Sequence, residues 1–192
     1  MHRVGTLVLA MTVASSADAL EPGLPQRVHT VGASVRVPVL RGEPTELARD
    51  VGFGFAVGSQ WFYRQGLALC VAGDYDRFGS PIDPEDQLSR FGFHAAQLFA
   101  YPLGRLLPWA AFGGGVAVGL YRHSGVTITD TMPMLRASAG LALEVHRRVT
   151  VGVSGGYDLV FGGDTVTAVG SSRRITVFDD IAYAALGLEY YF

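Results

Sequence analysis

Residues 135–145 read Leu135-Arg136-Ala137-Ser138-Ala139-Gly140-Leu141-Ala142-Leu143-Glu144-Val145. Every second residue is apolar, and those between are small or charged. In an extended chain that period puts Leu135, Leu141, Leu143 and Val145 on one face and Arg136, Ser138, Gly140 and Glu144 on the other. A helix would scatter the same residues around its axis. The stretch therefore reads as a strand with one apolar and one polar face.

The pattern recurs along the chain. Val31 to Val39 alternate with Gly32, Ser34, Arg36 and Pro38; Val51, Phe53, Phe55 and Val57 alternate with Gly52, Gly54, Ala56 and Gly58. Leu67, Leu69, Val71 and Tyr75 lie opposite Ala68, Cys70, Ala72 and Asp74, and Phe91, Phe93, Phe99 and Tyr101 opposite Arg90, Gly92, His94 and Ala96. Phe112, Val116, Val118 and Leu120 follow, then Val149, Val151, Val153, Tyr157 and Leu159, and last Ala182, Ala184, Leu186, Leu188, Tyr190 and Phe192. Together these make eight strands of about ten residues each, the length that crosses a bilayer at a tilt.

The connections alternate too. After the odd strands come longer polar stretches, Arg41–Asp50, Asp76–Ser89, Arg122–Met134 and Phe161–Asp180; after the even ones come short turns near Phe62–Gly66, Pro102–Pro108 and His146–Arg148. Long loops on one side and short turns on the other are the asymmetry of an outer-membrane barrel, which a Greek-key sandwich has no reason to show. A membrane helix at Leu106–Tyr121, with Gly115 and Gly119 at dimer-motif spacing, is the rival reading. Its 16 residues fall short of the roughly 20 a helix needs, and its Gly residues other than Gly114 share one strand face.

Composition agrees. Twenty-five of 192 residues are Gly, all 15 basic residues are Arg, and there is no Lys or Asn. Mean hydropathy is +0.28 with only 17% charged residues, which suits apolar side chains facing lipid. A net charge of −2 argues against a nucleic-acid partner. The start fits an exported chain: Met1-His2-Arg3 is basic, Val4–Val13 is apolar, and Ala17-Asp18-Ala19 offers small residues two apart. Residues 1–19 are thus expected to be a cleaved signal peptide and 20–192 the barrel domain. The lone Cys70 rules out an intrachain disulfide and a cysteine metal site, so no metal or cofactor is expected.

Aromatic residues gather near strand ends, where amphipathic rings prefer the headgroup level. Trp61, Phe62, Tyr63, Tyr101, Trp109, Tyr190 and Phe192 are expected to form the girdle on the short-turn side, and Phe53, Tyr75, Phe91, Tyr121, Tyr157 and Phe161 the other.

The chain ends Leu186-Gly187-Leu188-Glu189-Tyr190-Tyr191-Phe192. A terminal Phe, with Tyr190, Leu188 and Leu186 at steps of two before it, resembles the closing-strand signal that the outer-membrane assembly machinery recognises. Together with the topology, residues 28–192 resemble the small eight-stranded outer-membrane barrel superfamily, the OmpA-type or OmpW-type membrane domain. The resemblance implies an all-β, up-and-down antiparallel transmembrane barrel in the outer membrane of a Gram-negative bacterium. Its partners would be membrane lipid, lipopolysaccharide and the assembly machinery, its state a monomer, and its termini periplasmic.

Motifs for chemistry are sparse. Gly152-Val153-Ser154-Gly155-Gly156 matches a nucleophile elbow, but the elbow needs a strained turn into a helix, and here period-two alternation runs straight through. His123, Ser124 and Asp130 stand where a lipid A-modifying barrel enzyme would hold its His and Ser; adjacent strand residues, however, point to opposite faces. Asp74-Tyr75-Asp76-Arg77-Phe78-Gly79 opens like a calcium loop and fails at Phe78; with Asp83, Glu85 and Asp86 it reads as a solvated acidic loop. Arg173 and Arg174 are candidates to meet lipopolysaccharide phosphates.

The inward-facing charges say most about function. Arg36, Arg90, Arg136, Asp74 and Asp158 point into the barrel, as do Glu144 and Glu189 near the periplasmic end. Opposite charges in so narrow a space are expected to pair and plug it. The expected role is therefore non-enzymatic: a barrel that anchors surface loops for envelope structure or surface contacts. The alternatives are a narrow porin-like channel for ions or small apolar solutes and, less favoured, a lipid A-modifying enzyme.

Overall fold

The computed structural model describes residues 29–41, 51–79, 87–123, 126–161, 165–167, 174–176 and 180–192. The expected signal peptide, residues 1–19, lies outside them. The strands are β1 (His29–Arg41), β2 (Phe53–Arg64), β3 (Leu67–Gly79), β4 (Gln87–Ala100), β5 (Leu106–His123), β6 (Val126–His146), β7 (Val149–Val160), β8 (Thr165–Thr167), β9 (Arg174–Thr176) and β10 (Asp180–Tyr191). Eight of them close a barrel in the order β1-β10-β7-β6-β5-β4-β3-β2, while β8 and β9 form a separate ribbon. Every pairing is antiparallel, and twelve residue pairs from Thr30↔Tyr191 to Arg41↔Asp180 close the first strand on the last.

Polarity is inside out. Phe53 is 62% exposed and Phe192 70%, with Val35, Val57, Phe93, Leu141 and Leu186 also outward, whereas Arg36, Arg90, Arg136, Asp74, Asp76 and Asp158 are buried. A water-soluble protein rarely shows apolar surface that continuous. Outward residues of β2 from Phe53 to Tyr63 are apolar or aromatic except Ser59, whose hydroxyl is taken up by the Thr30 carbonyl and His29. Those ten steps rise about 33 Å, which at a tilt of about 40° is about 25 Å of axial height, the depth of an outer-membrane apolar band.

The short turns rely on glycine. Gly66 and Gly104 hold φ of 73° and 65°, the left-handed region that side chains other than Gly rarely adopt. Gly104 sits in a tight hairpin in which Leu103 and Leu106 exchange backbone hydrogen bonds of 2.7 and 3.1 Å.

Four expectations need correction. Arg122–Met134 is not a loop: β5 and β6 stay paired as far as His123↔Val126, with β4 alongside β5 to Gln87↔Arg122, while β6 has no β7 partner before Met134, so this hairpin extends past the β7 pairing. Its outward residues Thr127, Thr129 and Thr131 are polar and exposed. Beyond the bilayer an outward face has no need of apolar residues, so the strand reads as loop. Second, Tyr121 is not in a lipid-facing girdle but is buried in the lumen. Third, Trp109 is half-buried and lines the lumen, where a Cβ on Gly140 would lie 2.7 Å from its ring. Both stand on the inward parity of β5, since Phe112 and Val116 face out; Phe62, also expected in a girdle, likewise has the inward parity of β2, opposite the buried Ala68. Outward rings at the long-connection end do meet across strands, Tyr75 lying 5.5 Å from Phe55 and 4.9 Å from Phe91.

At that end the lumen is closed by Phe78, Leu88, Tyr121, Met132 and Ile181, with Leu40 and Val160 against them. Phe78 is 1% exposed. Phe78→Ala is expected to destabilise the barrel by about 3–5 kcal/mol, the usual loss for a buried Phe, read as a lower urea midpoint with folded and unfolded barrel separated on unboiled gels.

Candidate functional site in the barrel lumen

Directly beneath the apolar cap, β3, β4, β6, β7 and β10 each contribute their next inward residue. Two positions from Phe78 stands Asp76, two from Leu88 stands Arg90, two from Met134 Arg136, two from Val160 Asp158, and two from Ile181 Tyr183. Strand parity thus brings single charges from distant parts of the chain to one level.

The resulting cluster holds three guanidinium groups and three carboxylates. Arg136 grips Asp158 in a two-pronged pair, Nε to Oδ1 at 2.5 Å and Nη2 to Oδ2 at 2.6 Å, and its Nη1 donates to Asp74 Oδ2 at 2.7 Å. Arg90 Nη2 lies 2.8 Å from both Asp74 Oδ1 and Asp76 Oδ2 and 2.7 Å from Asp158 Oδ2. Arg36 adds Nη1 at 3.1 Å from Asp74 and Nε at 3.0 Å from Asp76. Its guanidinium sits 4.0 Å above the Tyr183 ring, with that of Arg136 at 5.3 Å, so the ring's negative face adds a cation–π contact. His94 Nδ1 lies 2.9 Å from Arg136 Nη1. A guanidinium can only donate, so the facing imidazole nitrogen accepts.

Missing side chains make the room. Arg36 pairs with Gly54, Gly54 with Asp76, and Asp76 with Arg90 across four adjacent strands. A Cβ on Gly54 would run into Asp76 Oδ1, and one on Gly92 would lie 2.6 Å from Asp74 Oδ1. Glycine is the residue that leaves these carboxylates free to turn towards the axis.

Below the cluster a cavity of about 180 Å³ occupies the short-turn half, lined by Ser34, Gln60, Cys70, Trp109, Ser138 and Glu189 among others. That is room for several waters.

Of the inward charges read from the sequence, Arg36, Arg90, Arg136, Asp74 and Asp158 come together. Glu189 does not join them. It stands six residues, about 20 Å along β10, from Tyr183, and accepts a 2.6 Å hydrogen bond from Gln60 Nε2. Glu144, half-buried, lies eight residues from Arg136 along β6, about 26 Å, and so cannot reach the cluster. Asp76, read as part of an acidic loop, is instead 0% exposed in the lumen: β3 continues to Gly79, and Asp76 shares the parity of Asp74. That parity was the available signal for Asp76, and likewise for His94 and Tyr183.

The remaining candidates are spread out. Leu186, Leu188, Tyr190 and Phe192 all face outward at the closing edge, and Tyr190 and Phe192 meet edge-to-face at 5.1 Å. Ser154 lies within the unbroken strand β7. Arg174 starts β9. Arg173, Ser124, Asp83, Glu85 and Asp86 lie outside the described residues. Among the described residues, no group of three or more His, Cys, Asp or Glu is placed to hold a metal.

No protein-family model and no curated protein sequence matches the chain. Solved structures do. Neisserial surface protein A matches with a TM-score of 0.66 at 14% identity, over 85% of this chain and 97% of that one. A major outer membrane protein from Thermus thermophilus matches at 0.56, with 13% identity and 85% and 99% coverage. Ail, the attachment invasion locus protein of Yersinia pestis, matches at 0.54, with 14% identity and 86% and 97% coverage. The chain thus has the fold of the small eight-stranded outer-membrane barrels.

Removing one partner from a buried ionic cluster leaves the others uncompensated, a loss of about 3–5 kcal/mol. Arg136→Met is therefore expected to lower unfolding stability by that amount. Arg136→Met with Asp158→Leu should recover part of it, a coupling that a double-mutant cycle in urea would measure.

Proposed function

We propose that the chain is an integral outer-membrane protein of a Gram-negative envelope, exported through its N-terminal segment, whose barrel is a closed anchor rather than a conduit or an enzyme. The observation that carries this reading is the ion cluster across the lumen. Three arginines and three aspartates from β1, β3, β4, β6 and β7 meet at one level, with an apolar cap above. An ion or solute crossing the barrel would have to separate buried pairs and part that cap.

Function then falls to the long-connection side, where the β5–β6 hairpin extends past the β7 pairing and β8 and β9 pair in a second, two-stranded sheet. Arg173 and Arg174 suit phosphates of lipopolysaccharide, because a guanidinium can bind them in a two-pronged way. The outward row Leu186, Leu188, Tyr190 and Phe192 suits recognition by the assembly machinery, and a monomer is the expected state.

The cavity of about 180 Å³ favours one other reading, a narrow diffusion channel, because it leaves the cluster and its cap as the barrier. Planar-bilayer recording of the refolded protein separates the two. Protein with the heat-dependent gel shift of a folded barrel is expected to be electrically silent. Reproducible single-channel steps that change in Arg136→Met or Glu144→Gln would overturn the closed-anchor reading in favour of the channel.

A further inference from the structure

Each closed turn at the short-turn end carries arginine: Arg64 at the β2–β3 turn, Arg105 at β4–β5, and Arg147 with Arg148 at β6–β7. All four are exposed. Because these turns fill alternate gaps between the barrel strands, the charges are distributed around the rim rather than gathered on one side.

The level of the ring is set by its neighbours. Arg148 Nη1 donates to the Tyr190 hydroxyl at 3.2 Å, and this bond raises its pKa further above the ordinary guanidinium value. Tyr190 packs on Phe192, and Trp61, Tyr63, Tyr101 and Leu103 are likewise outward at this end. Amphipathic rings mark the headgroup level, and arginine stems lie along apolar surface with the charge at its edge. Among the described residues at this end, Glu144 and Glu189 are turned to the lumen and no Asp or Glu faces out. The opposite end, by contrast, sets the outward Arg41, Arg77 and Arg122 beside an outward carboxylate, Asp180, which accepts from the Tyr157 hydroxyl.

We propose that this rim is a binding surface for anionic phospholipid headgroups, with Arg64, Arg105, Arg147 and Arg148 holding phosphodiesters of the leaflet at the short-turn end. The proposal rests on the outer-membrane reading above. It follows from charge complementarity and from continuity with the lipid-facing wall: a guanidinium at the edge of an apolar belt meets a phosphodiester first, and its planar fork matches that group. The attraction concentrates anionic lipid around the turns and fixes the depth of the barrel, while turns this short leave no bulk to hold the leaflet away.

Tryptophan quenching by brominated lipid tests it. Trp61 faces out at this rim, whereas Trp109 lines the lumen, so Trp61→Phe supplies the blank. The protein is refolded into phosphatidylcholine vesicles containing brominated phosphatidylglycerol, with brominated phosphatidylcholine as reference. At low ionic strength, phosphatidylglycerol is expected to be preferred on the order of fivefold, the effect of an arginine near an anionic surface, and about 0.5 M salt should erode that preference. Changing all four arginines to Gln should bring the preference close to unity; changing all four to Lys should keep most of it. If the fourfold Gln variant does not fold, Arg64→Gln, at the turn beside Trp61, should remove most of the preference that Trp61 reads. No preference in the parent, or one unchanged by the Gln substitutions, overturns the headgroup site in a barrel that shows its heat-dependent shift. Absence of that shift in the parent overturns the barrel reading and the site together.

Discussion

A backbone crossing hydrocarbon finds no water for its amide and carbonyl groups, and each group left unpaired would be strongly unfavourable. For strands there is one way to satisfy all of them, which is to close the sheet. Here the constraint is met by the twelve-residue seam between β1 and β10. Once the sheet is closed, each strand has only two kinds of surrounding, lipid outside and a narrow lumen inside, and period-two alternation assigns every residue to one or the other.

The lumen follows from that closure. An eight-stranded barrel leaves an interior just wide enough for its own side chains, so a charge turned inward meets whatever stands opposite. Isolated charges there would be intolerable, yet Arg36, Arg90 and Arg136 face Asp74, Asp76 and Asp158 in equal number. Space is as necessary as charge: Gly54 and Gly92 provide gaps into which Asp76 and Asp74 turn. The abundance of glycine in the chain thus has two distinct origins, clearance in the lumen and left-handed backbone at Gly66 and Gly104.

Most of the barrel was legible in the sequence because its governing signal is local. Alternation, turn length and the outward row ending at Phe192 need no knowledge of partners. What escaped is also explicable. The β5–β6 extension was obscured because Thr127, Thr129 and Thr131 face water above the bilayer, so the apolar half of the alternation vanishes while the strand continues. Tyr121 and Trp109 are aromatic residues near strand ends, the mark of a girdle, yet both stand on the inward face of β5, where parity and not residue type sets their direction. The membership of the ion cluster could be read from parity alone, which Asp76 shares with Asp74. Its pairing could not, since Arg136 meets Asp74 across 62 residues of sequence, and Glu144 and Glu189 share its inward direction but not its height.

Height is the quantity that orders the interior. On β6 the outward residues change from Thr131 and Pro133 to Leu135, which places the waterline, and on the inner face of the same strand Met132 and Met134 give way to Arg136. The apolar cap therefore lies at the waterline with the ions directly beneath it. The reverse order would expose the ion pairs to water and salt entering from the long-connection side, where screening would weaken them. Under a cap of Phe78, Leu88, Tyr121, Met132 and Ile181 they sit in a low dielectric, where satisfied pairs are strong and unsatisfied ones are severely penalised. Cap and cluster thus depend on each other: the cap shields the pairs, and the pairs hold together strands whose lumen-facing residues below are too small to fill the cavity.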